Sequence, residues 1–143
     1  MKSIQTSRFG TIEIEENRVI HFPEGLLGFP QHRDYILLDH KSGSPFCWLQ
    51  STDVPELAFV LTNPFRFIKD YLQDLSAEEQ ALFEIEEGGA PVILNLVTIP
   101  SGHVQKTTVN LLGPLVIDAT ARTGKQVVLA GAGYSHRQPL FPS

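Results

Sequence analysis

Residues 44–64 read SPFCWLQSTDVPELAFVLTNP, and this stretch decides the fold class. It contains two short β-rich runs, at 46–51 and 57–62, and the turn-forming residues Asp53, Val54 and Pro55 stand between them. Ten prolines and eleven glycines separate similar runs along the rest of the chain. The pattern therefore predicts many short strands joined by turns.

On the N-terminal side, Ile4 and Thr6 precede a Phe9-Gly10 turn, and Ile12 and Ile14 alternate with polar residues after it. This period of two predicts a half-buried hairpin. Further strands are predicted at 18–22 and 35–39.

On the C-terminal side, the near-continuous apolar run 92–99 is typical of a barrel wall or of a strand buried on both faces. The strands predicted at 107–112 and 115–118 flank a bend at Gly113-Pro114, and 126–129 is expected to pair back across a turn at 119–125.

One helix is predicted near residues 76–86. Ser76 and Glu79 have the spacing of a capping box. In this motif the serine side chain binds a free backbone N–H of the first helical turn, and the glutamate side chain reaches back to the serine N–H. Ala81, Leu82 and Ile85 share one face of this helix, and Gly88-Gly89 should end it. Nine or ten short strands with one helix predict an all-β, mainly antiparallel, barrel-like fold in a single domain spanning residues 1–143.

Composition indicates a soluble, cytoplasmic chain. A domain of this length can close a hydrophobic core without metals or disulfides, and its one cysteine, Cys47, excludes an internal disulfide. No apolar run approaches the roughly 20 residues of a membrane span, and residues 1–10 lack the apolar stretch of a signal peptide.

Charge narrows the class of partner. Eleven Lys and Arg residues stand against sixteen Asp and Glu residues, and residues 70–87 contain seven acids and no base. Such a surface disfavours direct nucleic-acid binding and attracts a basic protein, although it could equally be a solvated face that aids solubility. The more basic C-terminal half is too sparsely charged for a nucleic-acid site, with only Lys106, Arg122, Lys125 and Arg137 beside Tyr134.

Motifs for catalysis and for metal binding are absent from the sequence. Residues 131–136 begin like a dinucleotide loop but lack its third glycine, and 123–126 lacks the first glycine and the hydroxyl residue of a phosphate loop. The five histidines are scattered, and Cys47 lies in an apolar run where a thiol behaves as a small hydrophobe. We therefore predict a non-enzyme with no catalytic residue, no metal and no cofactor.

Two segments have the composition of recognition surfaces. The loop 23–29 places two leucines and a phenylalanine between glycines, and these side chains either fill the barrel mouth or contact a partner. In 63–68, aromatic residues alternate with Arg66, which predicts a strand with one buried face and also suits an interface centre. The predicted partner-binding residues are Glu24, Leu26, Phe29, Asp53, Glu56, Asn63 and Phe65.

Six strings in series resemble the flagellar assembly factor FliW family over essentially the whole chain. They are FPEGLLGF (22–29), SPFCWLQS (44–51), LAFVLTNP (57–64), NLLGPLVID (110–118), RTGKQVVL (122–129) and YSHRQPL (134–140). The stretch 68–90, which holds most of the acidic run, matches least.

The resemblance implies a compact, antiparallel, barrel-like regulator that is a monomer when unbound. It also implies two protein partners bound in turn: flagellin, and the small basic translational repressor CsrA. Free CsrA silences flagellin mRNA, and the factor released by flagellin secretion binds CsrA and restores translation. We hypothesise that the negative field of the factor also repels RNA from the bound repressor. A flagellin-only secretion chaperone and a small-molecule-binding barrel remain the alternatives.

Overall fold

The computed structural model describes residues 1–39, 43–85 and 91–141. Within these ranges there is one short α-helix, α1 (Ala77–Ala81), and single 3-10 turns lie at Glu16–Arg18, Pro64–Arg66 and Val104–Lys106. The strands are β1 (Lys2–Thr6), β2 (Gly10–Ile14), β3 (Ile20–His21), β4 (Asp34–Asp39), β5 (Phe46–Ser51), β6 (Ala58–Thr62), β7 (Val92–Thr98), β8 (Thr108–Val109), β9 (Leu115–Asp118), β10 (Thr123–Gln126) and β11 (Gln138–Pro139).

Seven of these strands close into a barrel. They follow the order β7-β6-β5-β4-β3-β10-β9, and β9 pairs with β7 to complete the ring. Every neighbouring pair is antiparallel except β3 and β10, which run parallel and share a single register pair, His21 with Thr123. The strands β8 and β11 extend the sheet beyond β7, and β1 and β2 form a separate hairpin. The predicted all-β, barrel-like fold is confirmed.

Apolar side chains fill the lumen of the barrel. Because side chains alternate across a strand, Cys47 and Leu49 of β5 point inward while Phe46 and Trp48 point outward. Eight buried residues form the centre of this cluster: Ile20, Phe22, Leu26, Tyr35, Leu49, Leu61, Leu115 and Ile117. Aromatic and branched side chains therefore occupy the space that a lumen ligand would need.

Three smaller apolar clusters cover the outside of the barrel. The N-terminal hairpin packs Ile4 and Ile14 on Ile36 of β4. A second cluster lies outside β6 and β7 and is built from Tyr71, Val97, Val109, Leu111 and Leu140. A third lies outside β9 and contains Leu75, Val116, Val127 and Leu129. The segments between the barrel strands are thus held by burial of their own apolar residues.

A buried hydrogen-bond network fixes the segment after β6. The Tyr71 hydroxyl donates to the Leu111 carbonyl over 2.5 Å and accepts from the Asn95 side-chain amide over 3.1 Å. The same amide nitrogen of Asn95 donates to the carbonyl of Asn110 over 2.8 Å. Since these groups are buried, each unpaired donor or acceptor would carry a desolvation cost, and the network specifies how this segment docks on β7.

Three predicted strands differ from the structure. The predicted strand 18–22 is only β3, because Arg18 ends a 3-10 turn. The stretch 63–68 is not a strand: the Asn63 side chain accepts from the Phe65 amide and caps a 3-10 turn instead. The predicted strand 107–112 ends at Val109, because the Asn110 side chain accepts from the Gly113 amide and starts a turn there.

The β9–β10 connection is also tighter than predicted. The strand expected at 126–129 is β10, three residues earlier, and its turn is shorter than 119–125. Asp118 Oδ1 accepts from the amides of Thr120 and Ala121 at 3.0 Å each, and Arg122 adopts φ +56°. An Asx turn of this kind reverses the chain within four residues, which the sequence pattern did not reveal.

The helix is present but shorter than 76–86. Ser76 caps it as predicted, since its hydroxyl oxygen accepts from the Glu79 amide over 3.1 Å. The Glu79 carboxylate, however, accepts from the Ser76 hydroxyl over 3.3 Å and not from the Ser76 amide, so only one half of the predicted capping box forms. The helix ends at Ala81, and Leu82 is exposed instead of buried. The predicted Gly88-Gly89 stop and the turn residues 40–42 lie outside the described residues. None of the described helices combines the length and apolar character that a membrane span requires.

Candidate partner-binding surface

The loop that follows β3 closes one end of the barrel with two tight turns. Gly25 adopts φ +66°, and a Cβ at this position would lie 2.5 Å from the Phe29 carbonyl oxygen, so only glycine fits here. The Gly25 amide donates to the Phe22 carbonyl, and the Phe29 amide donates to the Leu26 carbonyl, each over 2.8 Å. The loop is therefore a rigid platform.

This loop directs its apolar side chains both inward and outward. Leu26 is 2% exposed and belongs to the lumen cluster, whereas Leu27 is 62% exposed. Phe29 is 36% exposed and packs edge-on against Phe59 with ring centroids 5.2 Å apart. Leu26 is thus a core residue, and the exposed Leu27 was not among the predicted binding residues. No periodic signal could have separated two adjacent leucines between glycines.

Asp53 and Glu56 lie at the same end of the barrel as this loop. They sit in the turn between β5 and β6, and both are exposed. Ser51 Oγ accepts from the Asp53 amide over 3.1 Å, and the buried Gln50 amide nitrogen lies 3.0–3.4 Å from four carbonyl oxygens of the turn. The two carboxylates are consequently presented by a well-held backbone, beside exposed Glu24 and Phe29.

Asn63 and Phe65 lie at the opposite end. They follow β6, while Asp53 and Glu56 precede it, and five extended residues span about 17 Å. Phe65 is 37% exposed and leans on the Tyr71 ring with centroids 5.9 Å apart. The structure therefore brings Glu24, Phe29, Asp53 and Glu56 to one end and separates Asn63 and Phe65 from them.

A cleft of about 470 Å³ lies where β3 and β10 meet, and we call it the seam cleft. Its walls come from the loop after β3, the segment after α1, and the β9–β10 hairpin. The lining residues are Pro23, Glu24, Glu84, Ile85, Val116, Asp118, Ala121, Thr123, Gly124 and Lys125. No local motif predicts this cleft, because three separate parts of the chain contribute to it.

The seam cleft contains more negative than positive charge. Glu24, Glu84 and Asp118 line it together with one cation, Lys125. The Lys125 ammonium donates to the Glu84 backbone carbonyl over 3.5 Å. Within the described ranges, no ion pair joins any of these three carboxylates to a lysine, arginine or histidine. Lys125 therefore offsets only part of the negative charge of the three carboxylates.

Reactive groups elsewhere are shielded. Burial in the lumen and the charge of Asp39 raise the pKa of the Cys47 thiol to about 11, so the thiol is protonated at neutral pH and is a poor nucleophile. Burial raises the pKa of Tyr35 to about 12 and that of Tyr71 further still. In the ranges that the structure describes, no three His, Cys, Asp or Glu side chains are arranged to hold a metal ion.

Comparison with known proteins gives a consistent match. A family model described as FliW protein matches residues 2–140. The flagellar assembly factor FliW of Natranaerobius thermophilus is 41% identical over 138 residues, which cover 96% of this chain and 91% of that protein. The protein of the same name from Moorella thermoacetica is 38% identical, covering 96% and 87%. A crystal structure of the flagellar assembly factor FliW superposes with a TM-score of 0.85 at 33% identity, covering 99% of this chain and 98% of that one.

Proposed function

This chain belongs to the FliW family of flagellar assembly factors, and on that premise we propose that it binds two proteins in turn, flagellin and the translational repressor CsrA. When flagellin accumulates, it occupies the factor and CsrA is free to silence flagellin mRNA. When flagellin is secreted, the factor is released, binds CsrA and restores translation. The factor acts in the cytoplasm, where flagellin is made, and is a monomer between partners.

The observation that carries this proposal is the full-length family match, which spans residues 2–140. It covers every strand of the barrel and also the loop after β3, which presents Leu27 and Phe29. A protein that changes partners needs a stable scaffold with exposed contact residues, and the closed barrel supplies the scaffold.

Charge supports a basic partner. Residues 1–87 contain fifteen acidic residues and seven basic ones. Among the acidic residues of 70–85, Asp70, Asp74, Glu78 and Glu84 are exposed, while Glu86 and Glu87 lie outside the described residues. A negative surface accelerates the approach of a basic protein and repels RNA, which is the behaviour needed to antagonise an RNA-binding repressor.

Chemistry supports a role in binding over catalysis. Cys47 carries a raised pKa, and the described residues include no metal-ligand cluster. The lumen is filled by side chains, which weighs against the alternative of a small-molecule barrel. The remaining alternative, a chaperone for flagellin alone, shares the same fold and differs only in whether CsrA binds.

A competition titration tests the proposal. Labelled CsrA is titrated with the purified chain, first alone and then in the presence of excess flagellin. We expect a saturable complex that flagellin displaces. Binding of flagellin without binding of CsrA would indicate a secretion chaperone, and binding of neither would contradict the proposed function. Light scattering on the unbound chain tests whether it is a monomer.

A further inference from the structure

The seam cleft has the geometry and charge of a site for one basic side chain. We propose that it receives an arginine side chain of the more basic protein partner, with the guanidinium between the carboxylates and the aliphatic stem on the apolar floor. This inference rests on the proposed function, since it assigns a contact point to the basic partner.

The cleft exists because the β3–β10 ladder stops early. The two strands share one register pair, His21 with Thr123, and Pro23 follows directly after Phe22. Proline has no N–H, so it cannot donate the next hydrogen bond of the ladder. β10 nevertheless continues along β9 to Gln126, whereas the chain after β3 leaves the ladder at Pro23 and meets β10 again at Gln126, through the Leu27 amide. The outer wall of the barrel is therefore recessed at this seam.

The floor and the rim of the cleft differ in chemistry. Pro23, Ile85 and Val116 supply apolar surface, and Val116 is almost fully buried beneath it. The carboxylates come from three directions, because Glu24 follows β3, Glu84 follows α1 and Asp118 ends β9. A recess with apolar walls and an excess of one charge sign focuses the electric field inside it, and here three carboxylates outnumber one lysine. The field in this recess favours a cation.

Asp118 is the most fixed of the three acids. It is 8% exposed, and its Oδ1 accepts two backbone amides of the β9–β10 turn. Glu24 and Glu84 are exposed, and no side-chain hydrogen bond is found for either within the described residues. The two glutamates are therefore free to rotate towards an incoming guanidinium, while Asp118 contributes a stationary charge.

Arginine fits this combination better than other cations. Its stem packs on apolar surface while its planar head forms paired hydrogen bonds to carboxylates. The guanidinium is also more weakly hydrated than an ammonium, so that its transfer into a partly apolar cleft costs less. Anionic ligands and nucleic acids would face three carboxylates with one lysine to offset them.

Leu27 extends the contact beyond the cleft. Its amide donates to the Gln126 side-chain oxygen over 2.9 Å, and the Gln126 side-chain nitrogen donates to the Gly113 carbonyl over 2.9 Å. This link holds the Leu27 backbone at the end of β10, where Gln126 directly follows the cleft residue Lys125. Arginine is among the residue types that contribute most to interface affinity, and the exposed Leu27 side chain adds apolar contact area beside it.

The test compares two double variants of equal charge. In Glu24→Gln with Glu84→Gln, the cleft loses both mobile carboxylates with little change in shape. In Glu13→Gln with Glu16→Gln, the same two charges are removed from exposed positions in and after β2, outside the cleft. Binding of purified CsrA and of purified flagellin to each variant is measured by calorimetry. Thermal unfolding confirms that each variant is folded.

We expect the cleft variant to bind CsrA about tenfold more weakly than the control variant, and to bind flagellin within about twofold. Ala121→Phe, which narrows the cleft without changing charge, should weaken CsrA binding in the same way. Equal CsrA affinity in the cleft and control variants overturns the inference but leaves the proposed function standing. A loss confined to flagellin also overturns it.

Two further outcomes separate the remaining possibilities. If the unaltered chain binds neither protein, the proposed function fails and the inference fails with it. A titration with agmatine, a small guanidinium compound, is followed by amide NMR shifts. Shifts at Thr123–Lys125 together with unchanged CsrA affinity in the cleft variant would indicate a site for a small cation, which contradicts the inference.

Discussion

The Phe22 ring packs directly against the backbone of Gly124, so closely that a Cβ on Gly124 would lie 2.5 Å from Cε2 of the ring. Phe22 is fully buried and follows β3, and Gly124 lies in β10. The parallel seam of the barrel therefore closes over an aromatic ring that occupies the space of a missing side chain. The φ of Gly124 is not positive, so glycine is required here because the Phe22 ring approaches the backbone closely and not because of backbone conformation.

Gly124→Ala should destabilise the protein by about 1–3 kcal/mol, because the added methyl group forces the Phe22 ring or the β3 backbone to move. Urea unfolding measures the change. Gly131→Ala is the matched control: its Cβ would meet nothing closer than 3.8 Å, at a Glu79 carboxylate oxygen, and we expect a change within about 0.5 kcal/mol. Equal effects of the two substitutions would contradict the tight seam.

Leu26→Ala and Leu27→Ala form a matched pair at adjacent positions. Leu26→Ala should cost about 2–5 kcal/mol of folding free energy, because it leaves a cavity in the lumen. Leu27→Ala should change stability by less than about 0.5 kcal/mol, because the side chain is mostly exposed. Urea unfolding gives both values. A binding defect for Leu27→Ala at unchanged stability would identify it as a contact residue, and normal binding to both partners would exclude it.

Tyr71→Phe should cost about 1–3 kcal/mol, since it leaves the buried Leu111 carbonyl without its donor and removes an acceptor from Asn95. A double-mutant cycle with Asn95→Ala measures how far the two residues act together. We expect a coupling energy of at least about 0.5 kcal/mol. Strict additivity would show that the hydrogen bond between them contributes nothing to stability.

Alkaline pH should weaken the fold through Cys47. Folding raises the pKa of this thiol from 9.0 to about 11, so folding favours the protonated form. The resulting stabilisation is complete below pH 9 and is lost as the pH rises towards about 11. Unfolding free energies measured across this window should fall less steeply for Cys47→Ala than for the unaltered chain. The unfolding free energy of Cys47→Ala should still fall somewhat at alkaline pH, because burial raises the pKa of Tyr35 to about 12.

CsrA binding should weaken as salt increases from about 0.05 M to about 0.5 M, mainly through slower association, because the attraction acts between solvent-exposed charges. Stopped-flow kinetics separates the association rate from the dissociation rate. An affinity and an association rate that do not change with salt would remove the electrostatic part of the proposal, though not CsrA as a partner.

Local patterns predicted the local structure well. The hairpin of β1 and β2, the strands β4 to β7 and the Ser76 cap follow from alternation and capping chemistry, which act within a few residues. The predicted strands differed from the structure where a side chain accepts a hydrogen bond from a nearby backbone amide and so begins a turn. Asn63 and Asn110 each accept a backbone amide and begin a turn, and Asp118 accepts two. Such hydrogen bonds depend on geometry that residue type alone does not reveal.

The predicted binding residues were only partly brought together. The loop residues Glu24 and Phe29 share an end of the barrel with Asp53 and Glu56, but Leu26 is buried and Asn63 and Phe65 lie at the far end. Asp53 precedes and Phe65 follows the strand predicted at 57–62, so the sequence itself already implied that the two residues lie at opposite ends of one strand. Leu27 and the seam cleft could not be predicted, because both depend on how the loop after β3 lies against β10, and no local pattern records that contact.

By itself the sequence determined most of the strands, the acidic character and the family, because composition, two-residue alternation and the strings that resemble the family are properties of short segments. Only the tertiary structure decided which leucine of an adjacent pair is buried, and where a cleft forms. Both follow from the meeting of β3 with β10, about a hundred residues later in the chain. That contact is stabilised by closure of the barrel around Phe22, which is a property of the whole core and not of any one segment.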